Sequence, residues 1–268
     1  MIKVGHTPII YKHYNDNTFF GRIDCSNYDP NDPITWLFDS EEEFLPFYFI
    51  VQHFRDKIDG CHELNLPYVP SARMDRCKNE EDIFTLKYMA QLINKCDFDK
   101  VNIFDAHSRV TSALLNHVYN QSPIPMTQSV LDRLPKDTII GFCDEGGLER
   151  YREMPMFSVW GVKQRNWENQ KIEKLVLGGS THMIAGHPIL LVDDILARGS
   201  TIYHMAKALK ERGATDIYVY VSHCENTVLG SHINGRSLLE IPNLIEKVYT
   251  TNSIWRGKNP KVEVIYRF

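Results

Sequence analysis

The stretch of residues 189–202 constrains the fold most, because an apolar run ends there in two adjacent carboxylates and then in a turn of small residues. Four apolar residues precede Asp193 and predict a buried strand. Apolar residues at helical spacing run from Thr201 to the stop at Gly213 and predict a helix, and residues 216–221 predict a second strand. Strand, turn, helix and strand in this order predict a parallel unit that binds its ligand beyond the carboxyl ends of the strands.

The adjacent carboxylates Asp193 and Asp194 favour a site for a phosphorylated ribose. They repel each other unless a cation or sugar hydroxyls occupy the space between them. The free N–H groups at the start of the following helix suit a phosphate. The alternative is that the aspartates only end a strand and that Ser200 only caps a helix.

Composition restricts the classes of protein that this chain can belong to. With 268 residues, 43% of them hydrophobic, it is long enough for two modest domains or one large one. A formal net charge of -4 argues against a general nucleic-acid binder, which needs a basic face. No apolar stretch approaches the roughly 20 residues that span a bilayer, and no signal-peptide core is present. We therefore expect a cytoplasmic protein without a membrane partner. Its six cysteines include no C-x-x-C pair, so we expect them to be reduced and mostly to fill the core.

Two further predicted strands, in residues 101–108 and 138–147, also end in polar turns. Alternating strands and helices predict a doubly wound α/β architecture, and the Pro- and Ser-containing residues 121–134 divide it into domains 1–122 and 123–268. His107 and Asp144 each follow one of these strands, where a divalent cation bridging polyphosphate oxygens could be held. A structural role for a lone histidine is the alternative.

Two clusters of cationic residues are candidates for phosphate contacts. Arg73 and Arg76 share a non-helical turn, and Lys163 and Arg165 stand at alternate positions, so their side chains share a face if the segment is extended. We expect residues 162–166 to form a cationic hairpin after a strand. Ordinary exposed loops are the alternative for both clusters.

Together these segments resemble, in the same order, the motifs of the ribose-phosphate pyrophosphokinase family over roughly residues 65–232. Residues 70–76 resemble its ATP-contacting P-Y-A-R-Q-D-R, residues 104–107 its metal-binding D-L-H, residues 144–147 its D-A-G-G, residues 163–165 the K-x-R of its catalytic flexible loop, and residues 192–194 the start of its phosphoribosyl-binding loop. The resemblance implies an α/β fold of two phosphoribosyltransferase-like domains, each a mostly parallel sheet flanked by helices, and a homo-oligomer of two or more copies.

The resemblance also implies an enzyme that transfers diphosphate from ATP to the anomeric 1-hydroxyl of a ribose, with Mg²⁺ as cofactor and AMP as product. Lys163 and Arg165 would be catalytic, and His107 and Asp144 would hold the metal. ATP would be bound by Arg73, Asp75, Arg76 and His107. The sugar and its phosphate would be bound by Asp193, Asp194, Ala197, Arg198, Gly199, Ser200 and Thr201.

The sugar loop departs from the family pattern D-D-x-x-D-T-G-G-T. Ala197 replaces the third carboxylate and Arg198 replaces a threonine, so the phosphate pocket is more cationic. ADP-ribose fits such a pocket, and relatives of the family, some in bacteriophages, transfer diphosphate to ADP-ribose to rebuild NAD. We therefore rank ADP-ribose slightly ahead of ribose 5-phosphate as the acceptor. The alternatives are an ordinary ribose-phosphate pyrophosphokinase, a phosphoribosyltransferase and a catalytically silent regulatory subunit.

Overall fold

The chain divides into two compact units, each with its own sheet. The structure is a computed structural model that describes residues 1–58, 63–154, 158–165 and 172–268, and the side chains of all of these except 145, 163–165 and 172–175. The first unit contains Met1–Ser122 together with Phe268, and the second contains Pro123–Arg267.

The first unit is a six-stranded sheet with helices on one face. Its elements are β1 (Ile2–Val4), β2 (Thr7–Pro8), β3 (Tyr11–His13), β4 (Phe19–Gly21), β5 (Ile34–Trp36), α1 (Phe44–Lys57), β6 (Glu63–Leu66), α2 (Thr85–Asn94), β7 (Lys100–Phe104), α3 (Arg109–Leu114) and β8 (Val118–Gln121). The strand order is β2-β1-β5-β6-β7-β8, in which β5 to β8 run parallel and β1 is antiparallel to both neighbours. Strands β3 and β4 form a separate antiparallel hairpin.

One hydrophobic core joins the strands and helices of the first unit. Trp36 of β5 is fully buried and stacks on Phe47 of α1, with ring centroids 4.5 Å apart. Alternate residues of β6 and β7 join the same cluster, because successive side chains of a strand point to opposite faces. Strands β6 and β7 are parallel neighbours, so their carboxyl ends lie at the same edge of the sheet.

The second unit is a seven-stranded sheet with both faces buried. Its elements are α4 (Ile124–Leu131), β9 (Ile139–Phe142), α5 (Glu145–Arg150), β10 (Ser158–Arg165), β11 (Ile172–Gly179), β12 (Ile189–Leu196), α6 (Ser200–Glu211), β13 (Ile217–Cys224), β14 (Lys247–Thr251) and β15 (Val262–Tyr266). The order is β11-β10-β9-β12-β13-β14-β15, and every pair is parallel except β10 with β11.

Strand β12 shows why this unit carries a continuous apolar run. Leu191 belongs to the core on one face of the sheet, whereas Leu190 and Val192 belong to the core on the other. A strand covered on both faces needs apolar side chains at every position. The predicted α/β class, with two mostly parallel sheets flanked by helices, is confirmed.

Two element predictions need correction. We expected the strand to end before Asp193, but β12 continues through both aspartates to Leu196, because it stays paired with β13 as far as Cys224. We expected the strand to end at Trp160 and the cationic segment to follow it, but β10 runs to Arg165 through its pairing with β11.

One expected helix end is confirmed in the described part of the chain. Helix α6 ends before Gly213, which has a left-handed φ of 86°. The C-terminal strand β15 pairs in parallel with β14 of the same chain. No helix among the described residues is long and apolar enough to span a membrane.

Candidate functional site

Three carboxylates lie near the carboxyl ends of two neighbouring strands of the second unit. Strands β9 and β12 are parallel, with Phe142 opposite Val192. Asp144 follows Phe142 by two residues, and Asp193 and Asp194 follow Val192 directly. The carboxyl edge of a parallel sheet is where open α/β folds bind their ligands.

The electrostatics of this group favour a cation. Burial, together with the negative charges of Asp194 and Asp144, raises the pKa of Asp193 to about 8. The Asp193 carboxylate also accepts a hydrogen bond from the backbone N–H of Asp194, with an Oδ1–N distance of 3.0 Å. Carboxylates that are desolvated and near each other resist ionisation, so a bound cation or hydroxyl donors would stabilise the ionised group.

Arg150, which sequence reasoning missed, supplies one counter-charge. Its Nη1 lies 3.5 Å from Oδ1 of Asp194, and the two side chains are 23% and 8% exposed. Arg150 is the last residue of α5, the helix that begins directly after Asp144. The sequence could have pointed to Arg150 only indirectly, because a buried carboxylate on β12 needs a cationic partner on a neighbouring element.

The segment that begins with Asp144 also stabilises the start of α5 and its packing on β9. The Asp144 carboxylate accepts a hydrogen bond from the N–H of Gly147, at 3.1 Å, and so caps α5. A Cβ at Gly147 would lie 3.3 Å from Cβ of Phe142, so the glycine lets α5 pack closely on β9. The packing therefore gives Gly147 a structural role.

The loop of residues 197–201 joins β12 to α6. Gly199 occupies the N-cap position with a φ of 85°, a conformation that favours glycine. Among the described residues no side chain caps α6, so Ser200 is the first residue of the helix and not its cap. Arg198 and Ser200 are exposed, and Ala197 and Thr201 are half-buried. The first N–H groups of a helix lack partners within it, which makes this loop a suitable phosphate site.

Lys163 and Arg165 are placed by their backbone alone. Strand β10 pairs in parallel with β9 as far as Trp160 opposite Phe142, and continues with β11 past that point. Both residues therefore belong to an extended antiparallel arm that starts at the carboxyl edge of β9. Their side chains lie outside what the structure describes.

In the first unit, the predicted nucleotide contacts follow β6 and β7. Arg73, Asp75 and Arg76 lie in the turns after β6, where Arg73 and Arg76 are exposed. Arg76 Nε lies 3.3 Å from Oδ1 of Asp75. A basic, exposed segment of this kind leaves guanidinium groups accessible to a polyphosphate.

His107 comes three residues after the end of β7 and is half-buried. Asp105, between them, is buried and has a φ of 44°, which turns the chain sharply at the strand end. Since β6 and β7 are parallel neighbours, His107 and residues 73–76 follow the same edge of this sheet. Asp105 is a further polar residue of this edge to which we had assigned no role.

The donor set of the second unit fits magnesium. Mg²⁺ prefers oxygen ligands and takes one or two carboxylates together with substrate phosphates. Among the described residues, no group of three or more His, Cys, Asp or Glu side chains could hold a metal ion. A magnesium ion at Asp144, Asp193 and Asp194 would therefore need oxygens of a substrate. His107 lies in the other unit, and its share in the metal stays a prediction.

Comparison with known proteins gives a family match in the second unit. Residues 124–247 match the family described as "Phosphoribosyl transferase domain". This range contains the three carboxylates, the arm of β10 and the loop of residues 197–201.

Curated relatives match a larger part of the chain. The ribose-phosphate pyrophosphokinase of Bradyrhizobium diazoefficiens is 29% identical over 169 residues, which cover 59% of this chain and 51% of the relative. Ribose-phosphate pyrophosphokinase 1 of Streptococcus pyogenes is 25% identical over 211 residues, which cover 75% and 62%. The matched region thus spans between half and two thirds of the length of these relatives.

A solved structure shows the same fold. The phosphoribosylpyrophosphate synthetase of Mycobacterium smegmatis superimposes with a TM-score of 0.73 and covers 96% of this chain and 85% of its own. Sequence identity is 15%, so the match concerns the fold alone.

Proposed function

We propose that this chain is a member of the ribose-phosphate pyrophosphokinase family and that it transfers the β,γ-diphosphate of ATP to the anomeric 1-hydroxyl of a 5-phosphorylated ribose, releasing AMP. One observation carries the proposal. Asp144, Asp193 and Asp194 converge at the edge of the sheet from which the phosphate-suited loop of residues 197–201 continues.

In the proposed site, acidic residues bind the sugar, helix N–H groups and hydroxyls bind its phosphate, and basic residues bind the ATP. Asp193 and Asp194 accept hydrogen bonds from the 2- and 3-hydroxyls of the sugar. The backbone N–H groups at the start of α6 and the hydroxyls of Ser200 and Thr201 bind its 5-phosphate. On the nucleotide side, Arg73 and Arg76 bind the ATP, and Asp75 and His107 complete that site.

The reaction is a displacement at the β-phosphorus. The anomeric oxygen forms a bond to this phosphorus, the bond to the oxygen bridging the α- and β-phosphates breaks, and the hydroxyl proton passes to solvent. Lys163 and Arg165 offset the negative charge of the transferring group. Magnesium, when bound, neutralises charge on the phosphate oxygens. Positioning and charge stabilisation therefore supply most of the acceleration.

Ribose 5-phosphate is the acceptor that the comparisons favour. The matched relatives are named ribose-phosphate pyrophosphokinases, so their names favour this sugar over the ADP-ribose that we ranked first from the sequence. ADP-ribose remains a second candidate because of one observation. Ala197 and Arg198 make the loop more cationic than the family pattern, and Arg198 is exposed, where it can reach a second phosphate.

The test is to incubate the protein with ATP, Mg²⁺ and one sugar at a time, and to follow AMP release and product mass. We expect AMP to form with a 5-phosphorylated ribose and not without a sugar. AMP formed only with ribose 5-phosphate removes the ADP-ribose candidate, and AMP formed only with ADP-ribose removes the other.

The same assay covers the remaining alternatives. A phosphoribosyltransferase consumes a ready-made phosphoribosyl pyrophosphate with a base and releases no AMP from ATP. A silent regulatory subunit releases no AMP with any sugar. Either result contradicts the proposed function.

A further inference from the structure

One segment after β13 holds both ends of the turn between β12 and α6. At the carboxyl end of β13, the N–H of Glu225 donates to the carbonyl of Leu196, with an N–O distance of 2.8 Å. Leu196 is the last residue of β12 and directly precedes the loop of residues 197–201. This hydrogen bond fixes the point at which the loop begins.

Leu238 fixes the other end of the turn. A Cβ placed on Gly199 would lie 2.7 Å from Cδ2 and 3.0 Å from Cβ of Leu238, and its three nearest atoms all belong to Leu238. Leu238 is fully buried, so its side chain cannot move outward without opening the core. The leucine thus occupies the space that a side chain at residue 199 would need.

Hydrogen bonds hold Leu238 in this position. It begins the 3₁₀ turn Leu238–Glu240, which is capped reciprocally by Ser237 and Glu240. The Ser237 hydroxyl also donates to the carbonyl of Val228, at 2.8 Å. Val228 belongs to the turn Asn226–Leu229, directly after Glu225. The contact at Gly199 and the bond at Leu196 therefore come from one connected segment.

We propose that Leu238 is a positioning residue for the phosphate-binding loop. It supports Gly199 from inside, so that the N–H groups at the start of α6 face the ligand before the ligand arrives. The inference rests on the proposed function, because it names the 5-phosphate of the sugar as that ligand. Since binding depends on the placement of several N–H groups at once, a loop that relaxes inward loses affinity for the phosphate.

Leu239 provides a matched control for the test. It is the next residue in the same turn, is also buried, and packs in the same core cluster as Leu238. Leu238→Ala and Leu239→Ala remove the same atoms from the same core, so both are expected to lower the Tm. Leu238→Met keeps the volume of the side chain and serves as the conservative variant.

The experiment is calorimetric titration of each full-length variant with ribose 5-phosphate and with ADP-ribose, together with the KM for both substrates. For the sugar that wild type binds more tightly, Leu238→Ala is expected to raise Kd and KM about tenfold or more, since small displacements of binding groups have large effects. In Leu238→Ala, the KM for ATP should stay near the wild-type value. Leu239→Ala should change sugar binding little, and Leu238→Met should bind the sugar about as tightly as wild type.

Equal weakening of sugar binding by both alanine variants, or wild-type affinity in Leu238→Ala, overturns the proposal. If Leu238→Ala does not fold, Leu238→Val is judged by the same comparison. Sugar binding without AMP release contradicts the proposed function but leaves the role of Leu238 to be decided by the titration. No binding of either sugar by wild type overturns both.

Discussion

At the scale of single residues, the surroundings of Asp193 disfavour the ionised form of its carboxyl group. Burial and the neighbouring Asp194 and Asp144 raise its pKa, and Arg150 forms an ion pair with Asp194. Groups retained at such a cost to the folded state are typical of functional sites. Asp193 is therefore where we expect stability and activity to oppose each other.

Asp193→Asn should make the protein more stable and inactive. A carboxyl whose folded-state pKa is raised to about 8 contributes its full stability below its unfolded pKa, roughly 4, and loses it as the pH rises through 8. The asparagine cannot ionise, so its Tm in metal-free buffer at pH 8 should exceed that of wild type. A gain of ~1 kcal/mol corresponds to roughly 2–4 °C for a domain of this size.

The control for this prediction is the exposed Asp137, which lies in the same unit. Asp137→Asn should leave the Tm almost unchanged at both pH 4 and pH 8. Melting curves that show Asp193→Asn equal to or less stable than wild type at pH 8 would contradict the account of this site.

Lys163→Ala tests the proposed catalytic arm. By comparison with arginine fingers, removing a cation that stabilises the transferring group should lower turnover by about a thousandfold or more. The KM for the sugar should change little, because the sugar is bound elsewhere. AMP release within about tenfold of the wild-type rate contradicts the role of Lys163, since the same principle demands a larger loss.

The sequence was informative about single residues where the residue pattern itself is unusual. Asp193 and Asp194 stood out because two carboxylates directly follow an apolar run. Arg150 did not stand out, because a basic residue at the end of a short helix is common and its partner is distant in the chain. Contacts of this kind depend on tertiary packing, which residue patterns do not contain.

At the scale of elements, the turn between β12 and α6 depends on a residue without a side chain. Gly199→Ala meets two obstacles: a φ of 85° and a Cβ that would lie 2.7 Å from Leu238. A left-handed conformation alone costs a non-glycine residue about 1–2 kcal/mol. The overlap with a buried leucine adds to this, so the variant should be clearly destabilised and should bind the sugar phosphate weakly.

Gly235 separates the two effects. It has a φ of 76°, but a Cβ there would meet nothing within 4 Å. Gly235→Ala should therefore lose only the conformational part of the stability and retain sugar binding. Equal losses for Gly199→Ala and Gly235→Ala, measured by denaturant unfolding, would mean that the contact with Leu238 has no energetic role.

Element types were easier to predict than element ends. The helix after Gly199 and the strand before Asp193 follow from hydrophobic periodicity, which is a local property. The continuation of β12 to Leu196 and of β10 to Arg165 follows from pairing with β13 and β11, which is not local. The ends of strands are set by their partners in the sheet, so a single segment does not reveal them.

At the scale of the whole molecule, the two units each repeat one arrangement. Functional candidates lie near the carboxyl ends of parallel neighbours, β6 and β7 in the first unit and β9 and β12 in the second. The α/β class was predictable from sequence because hydrophobic periodicity identifies alternating strands and helices. The order of the motifs was predictable because each motif is a short run of characteristic residues. The acceptor was not, since ribose 5-phosphate and ADP-ribose share the ribose and its 5-phosphate.

The central claim is that the anomeric oxygen of the sugar attacks the β-phosphorus of ATP. The most direct measurement uses the accepted sugar labelled with ¹⁸O at the anomeric position, with mass spectrometry of both products after reaction with ATP and Mg²⁺. The account predicts that the label stays in the sugar product, as the oxygen that bridges C1 and the transferred phosphorus, and that AMP is unlabelled. Loss of the label from the sugar, or its appearance in AMP, would contradict it.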